Sequence, residues 1–232
     1  MSSSHMKRLA MPRSWPLTRK TNVWISRPRP SGHPIENCMA IGVILRDILG
    51  VAKSMREAKR ALATRLIKVD GAVVSDLRRG VGIMDVLTVG DIHYRCILDK
   101  NGKLRYNVIP SKESGVKICR VDGKTTVKGG VTQLNLHDGR NILVDDANKY
   151  NTRDSLLLDV NSQKIKSHFK FEGGANCYLI GGSHIGSCAA MKEYIVKRSS
   201  KDNEVIFEDF GTIEDHVFII GDSNLPLDEV SE

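Results

Sequence analysis

Between residues 93 and 167 the chain cannot run straight for long. Lys100-Asn101-Gly102, Val121-Asp122-Gly123, Gly129-Gly130 and Asp138-Gly139 are all turn formers. Glycine takes positive φ at no steric cost, and Asn and Asp side chains bond their own backbone. The runs between them, such as residues 106–109 and 116–121, are rich in strand formers. Short strands at this spacing predict a small barrel or sandwich. Residues 168–221 continue the pattern, with Phe169 and Phe171, a glycine-rich turn, and strand-forming runs at 177–180, 190–196, 205–207 and 217–220.

Residues 36–92 have a different grammar. Ile41, Ile44, Leu45, Ile48 and Leu49 fall on one helical face. Gly50 follows where a helix C-cap belongs. Ser54-Met55-Arg56-Glu57 is a capping box, which predicts a second helix to about Arg65. Its apolar side is Met55, Ala58, Ala61 and Leu62, and its other side carries Arg56, Lys59, Arg60 and Arg65. Ile67 to Val74 then reads as a tight hairpin around Asp70-Gly71, the pair that a type I′ turn prefers.

Charge is distributed unevenly over the 232 residues. Residues 1–110 hold 20 Lys/Arg against 8 Asp/Glu, a net of +12, while residues 111–232 carry a net of −4. The first 30 residues contain Lys7, Arg8, Arg13, Arg19, Lys20, Arg27 and Arg29 and no acid. That asymmetry points to a polyanionic partner for the N-terminal half. Pro12, Pro16, Pro28, Pro30 and Pro34 forbid a long amphipathic helix there, which disfavours a membrane surface as that partner. Residues 1–35 are therefore expected to form a basic arm that orders on binding, in which Trp15 and Trp24 either anchor the arm on the protein or stack on bases, with anchoring favoured because tryptophan is usually well buried. Residues 222–232 read as a polar, acidic tail.

Several function classes are disfavoured. The longest apolar run, residues 39–45, is far short of the ~20 residues of a membrane span. The N-terminus shows no apolar stretch of a secretory leader. Cys38, Cys96, Cys119, Cys177 and Cys188 form no C-x-x-C pair and read as reduced core thiols. No two histidines have helical metal-ligand spacing, so neither a metal nor a cofactor is expected. Gly181 and Gly186 mimic a phosphate loop, but Ser187 stands where its lysine belongs. His137-Asp138 is the nearest thing to a catalytic dyad. On a strand the two would face opposite ways, so a hairpin corner is the stronger reading and no catalytic residue is assigned.

Residues 54–74 resemble the S4-type RNA-binding domain. The context is narrower: His5-Met6-Lys7-Arg8-Leu9-Ala10-Met11-Pro12, Arg65-Leu66-Ile67-Lys68-Val69-Asp70-Gly71, Met84-Asp85-Val86 and Thr132 to Asn141 resemble segments of the archaeal and eukaryotic ribosomal protein S4e family. Gly181-Gly182-x-x-x-Gly186 resembles the KOW motif that closes that family, with Ser187 and Ala189 replacing its usual arginine and glycine. The resemblance implies an α+β chain: a basic arm (1–35), a small helical and hairpin S4-type domain (36–92), and two small β-barrel-like domains (93–167 and 168–221), the last an SH3-like KOW barrel. It implies a non-enzymatic, cytoplasmic protein that scaffolds small-subunit rRNA beside neighbouring ribosomal proteins, with no small-molecule substrate. The expected RNA contacts are the seven arm cations together with Lys53, Arg56, Lys59, Arg60, Arg65, Lys68, Arg78 and Arg79. An RNA-modifying enzyme is the first alternative, but about 140 residues of small barrels after residue 92 leave no room for a larger catalytic fold. A KOW-bearing transcription factor is the second, and the basic arm argues against it.

Overall fold

A computed structural model describes residues 5–221, so the acidic tail of 222–232 lies outside the described residues. The chain is mostly β, with few and short helices. The described residues divide into two compact units, residues 5–97 with 103–115 and residues 98–102 with 116–221.

The first unit is built on a five-stranded sheet in the order Ala72–Val73, Ile67–Val69, Val86–Val89, Ile92–Leu98 and Leu104–Ile109. Ile67 and Val69 are buried and Lys68 between them is exposed, the alternation of a half-solvated strand. Asp70 and Gly71 have φ of 47° and 73°, as the type I′ turn requires. The Asp70 carboxylate accepts the Val86 N–H at 2.9 Å, which ties the hairpin to the next strand. The sequence suggests a boundary at 92/93; Ile92 instead opens a strand that pairs with Val86–Val89, and the compact unit extends to Gly115.

Ile41, Ile44 and Leu45 are buried as their spacing predicts. The helix begins as α over Ile41–Val43 and continues as a π turn over Ile44–Ile48. Gly50 closes it with φ of 65°. The second helix, Met55–Ala63, stops two residues early because Arg65 swings to φ of 59°, the left-handed conformation that ends helices. Its box differs in one detail. The Glu57 N–H donates to the Ser54 hydroxyl at 3.3 Å, but the Glu57 carboxylate accepts the Lys53 N–H, at 2.7 Å.

Residues 5–35 are folded against this unit. Met6–Lys7 pairs with Trp24–Ile25. Trp15 is buried and its indole N–H donates to the Cys38 carbonyl at 2.9 Å. The His33 ring lies 2.9 Å from buried Asp85, whose second oxygen accepts the Gly82 N–H at 2.8 Å. A Cβ at Gly82 would lie 2.3 Å from the His33 ring, so only glycine admits that contact. The Met84-Asp85-Val86 motif therefore acts as a clamp on the arm.

The second unit holds a five-stranded antiparallel sheet ordered Asn141–Val144, Thr132–Leu136, Val116–Thr126, Ser155–Asp159 and Ile165–Phe169. Its core includes Cys119, Val121, Leu134, Leu136, Leu156 and Leu158. Gly129-Gly130 and Asp138-Gly139 make turns, with positive φ at each glycine. Val121-Asp122-Gly123, a turn former by composition, does not turn. It is a bulge in an eleven-residue strand that pairs with Ser155–Asp159 before it and Thr132–Leu136 after it. Such a kink lets one strand serve two partners and curls the sheet.

Two three-stranded sheets follow. One is ordered Cys188–Ala190, Asn176–Leu179, Val217–Ile219, and the other Glu193–Ile195, Glu204–Ile206, Gly211–Ile213. They share one core that includes Cys177, Leu179, Met191, Val205, Phe207 and Val217, which makes them barrel-like. The run at 190–196 splits at Met191-Lys192, where the backbone changes sheets: the Met191 N–H bonds Ala175 and the Lys192 N–H bonds Ile206. In the turn 98–102, Leu98 N–H donates to the Tyr178 hydroxyl, which donates back to the Leu98 carbonyl, both at 2.7 Å. Gly186 stands so close to Asp99 that a Cβ would lie 2.5 Å from its carbonyl group.

Candidate nucleic-acid interface

The helix Met55–Ala63 carries the densest cationic face. Ala58 and Leu62 are buried, and Arg56, Lys59 and Arg60 are exposed. At 100° per residue, Arg56 and Arg60 point away from Ala58. Lys53 stands before the helix, Arg65 after it, and Lys68 on the outer face of the hairpin, all exposed. The acids of residues 53–79 are Glu57, Asp70 and Asp76. Glu57 caps the helix, Asp70 holds Val86, and Asp76 pairs with Arg29 at 2.8 Å. Each acid is thus committed to the scaffold, and the cations face water.

The arm cations separate into two groups. Lys7, Arg13, Lys20 and Arg29 are exposed, and Arg19 and Arg27 are half-buried. Arg19 donates to the Leu9 carbonyl at 3.1 Å. Arg8 departs from expectation. It is 5% exposed, and its Nε donates to the Thr18 carbonyl at 2.6 Å. This guanidinium holds the arm together, because the chain loops back over it between residues 8 and 18. Arg78 also works internally, donating to the Arg27 carbonyl at 3.1 Å. Arg79 is exposed. Trp24, expected as an anchor, is 58% exposed.

His137 and Asp138 lie in the turn between the paired strands Thr132–Leu136 and Asn141–Val144, the hairpin corner that the sequence favours over a strand-borne dyad. Cys119, His137 and Asp138 bring ligand atoms within 4.8 Å of one another, a juxtaposition hidden by their separation in sequence. Their donors are nonetheless committed to the protein. Asp138 takes the ammonium of fully buried Lys117 at 2.8 Å and the Arg140 guanidinium at 3.2 Å. The Cys119 thiol donates to Asp138 at 3.6 Å, and His137 Nδ1 accepts the Arg120 N–H at 3.2 Å. This is a hairpin corner held by a buried ion pair. Burial also pushes the thiols of Cys38 and Cys177 up to about 11 and about 12, which keeps both unreactive.

Known proteins share this architecture. Residues 2–36 match the domain described as RS4NT, and residues 91–165 match the family described as Ribosomal family S4e. A protein of Methanocella arvoryzae named small ribosomal subunit protein eS4 is 39% identical over 227 residues, covering 95% of each chain. The protein of the same name in Aeropyrum pernix is 40% identical over 230 residues, covering 93% of this chain and 91% of that one. The crystal structure of the 30S ribosomal protein S4e from Thermoplasma acidophilum superposes with a TM-score of 0.71 at 32% identity, covering 81% of this chain and 96% of that one. Near-complete mutual coverage, with the arm and the central sheet each matched by the corresponding domain description, makes this chain a member of the ribosomal protein S4e family.

Proposed function

We propose that the protein is a structural constituent of the small ribosomal subunit that binds and scaffolds small-subunit rRNA in the cytoplasm. The observation that carries this is the two-chain coverage of 95% with a relative named as a small-subunit protein. The chemistry agrees. The exposed cations of the helix and hairpin match a partner whose affinity comes from phosphates. A helix and hairpin suit recognition of RNA shape, because the A-form major groove hides its base edges. The helix and hairpin within residues 36–92 act as the S4-type grip, holding RNA with Lys53, Arg56, Lys59, Arg60, Arg65, Lys68 and Arg79. Lys7, Arg13, Arg19, Lys20, Arg27 and Arg29 extend the grip along the arm. The sheet spanning residues 116–169 forms the central domain, and the two three-stranded sheets of residues 176–219 form a KOW-type SH3-like barrel that meets neighbouring ribosomal proteins.

Gradient sedimentation of cell extract at moderate salt tests this. The protein should travel with small subunits; recovery at the top of the gradient while ribosomes stay intact would refute the proposal.

A further inference from the structure

We propose that Trp24 is a stacking platform for an unpaired nucleobase of the bound RNA, a role that rests on the RNA-binding function above. The chain has two tryptophans, and the fold treats them oppositely. Trp15 is 1% exposed, with its N–H bonded to Cys38. Trp24 is 58% exposed, while its neighbour Ile25 is buried. Strand alternation produces this difference, turning Ile25 inward and the indole outward. Tryptophan is highly buried on average, so an indole held in water on a paired strand calls for a partner.

Its surroundings identify that partner by charge. The residue opposite Trp24 in the strand pair is Lys7, which is exposed. The His5 ring stands 6.0 Å away, edge-on at 62°. The first 30 residues contain no acid. A cation for the backbone beside an aromatic ring for the base is the pairing by which single-stranded nucleic acids are held. In RNA such bases come from loops and bulges, where they are already unstacked. An apolar protein patch would be served by the indole alone and would gain nothing from the basic surround.

The test uses the full-length protein and the small-subunit rRNA of its own organism. Filter retention and tryptophan emission are followed in one titration, with Trp24→Phe run in parallel to supply the Trp15 background. Trp24 emission should be quenched over the same RNA concentrations that saturate retention. Trp24→Ala should bind about tenfold more weakly, and Trp24→Phe, which keeps a ring, should recover most of that loss. The dependence of affinity on salt should stay the same in both, because every phosphate keeps its cation. Retention of RNA with unchanged Trp24 emission would overturn the stacking proposal and leave RNA binding intact. Quenching that needs added ribosomal proteins would place the indole on a protein and overturn it equally. Failure of the RNA to be retained at all would sink both proposals.

Discussion

Asp138 shows how one carboxylate can set a pH dependence for the second unit. Burial raises its proton affinity more than any one neighbour lowers it, but attraction from Lys117 and His137, with the hydrogen bonds from Lys117 and the Arg140 N–H, together outweigh burial and bring the pKa from 3.8 down to about 2. Between those values the unfolded chain binds more protons than the folded one. The stabilisation is therefore complete above about pH 4 and is lost as pH falls through 2. Its size is about 2 kcal/mol, from 1.36 kcal/mol per unit. Thermal unfolding at pH 5, 3 and 2 checks this, and Asp138→Asn should flatten that part of the profile. The sequence shows the His137-Asp138 corner but not Lys117 beside it, since an ion pair across 21 residues leaves no local pattern. Arg8 and Trp24 are opaque for a related reason. A cation and an indole in a Pro-punctuated stretch look solvated and buried by default, and only the return of the chain reverses both.

At the scale of elements, the helix Met55–Ala63 depends on its first turn. Ser54→Ala should cost about 1 kcal/mol, read as a lower denaturant midpoint, because the Glu57 N–H loses its acceptor. RNA affinity should fall with it, since fraying releases Arg56 from its fixed spacing to Arg60. Helix and hairpin are legible because capping and a two-residue turn are written in adjacent residues. Val121-Asp122-Gly123 misleads for the opposite reason. Asp-Gly favours a turn, but strand partners available on both sides keep the chain extended. The change of sheets at Met191-Lys192 and the strand Gly211–Ile213 are equally invisible, being set by partners far along the chain.

For the molecule as a whole, the uneven charge predicts a salt signature. Replacing Arg56, Arg60 and Lys68 together by alanine should weaken rRNA binding. The slope of log affinity against log salt should shrink by up to about 0.9 for each phosphate left without its cation, taking the duplex DNA value as a guide. Filter binding at several salt concentrations reads it, and an unchanged slope would show that these three side chains touch no phosphate. The excess positive charge of residues 1–110 is plain from composition, and contact with rRNA is the use proposed for it. The path of the backbone is not plain. Residues 98–102 belong to the second unit although residues on both sides belong to the first. No single cut separates the molecule into its parts. A fragment starting at Val116 would strand the Tyr178 hydroxyl without Leu98, at about 1–3 kcal/mol, and would leave Gly186 fitted to a turn that is no longer there. During synthesis, the second unit holds a five-residue piece made well before the rest of it and must wait for its own C-terminal strands to close around that piece.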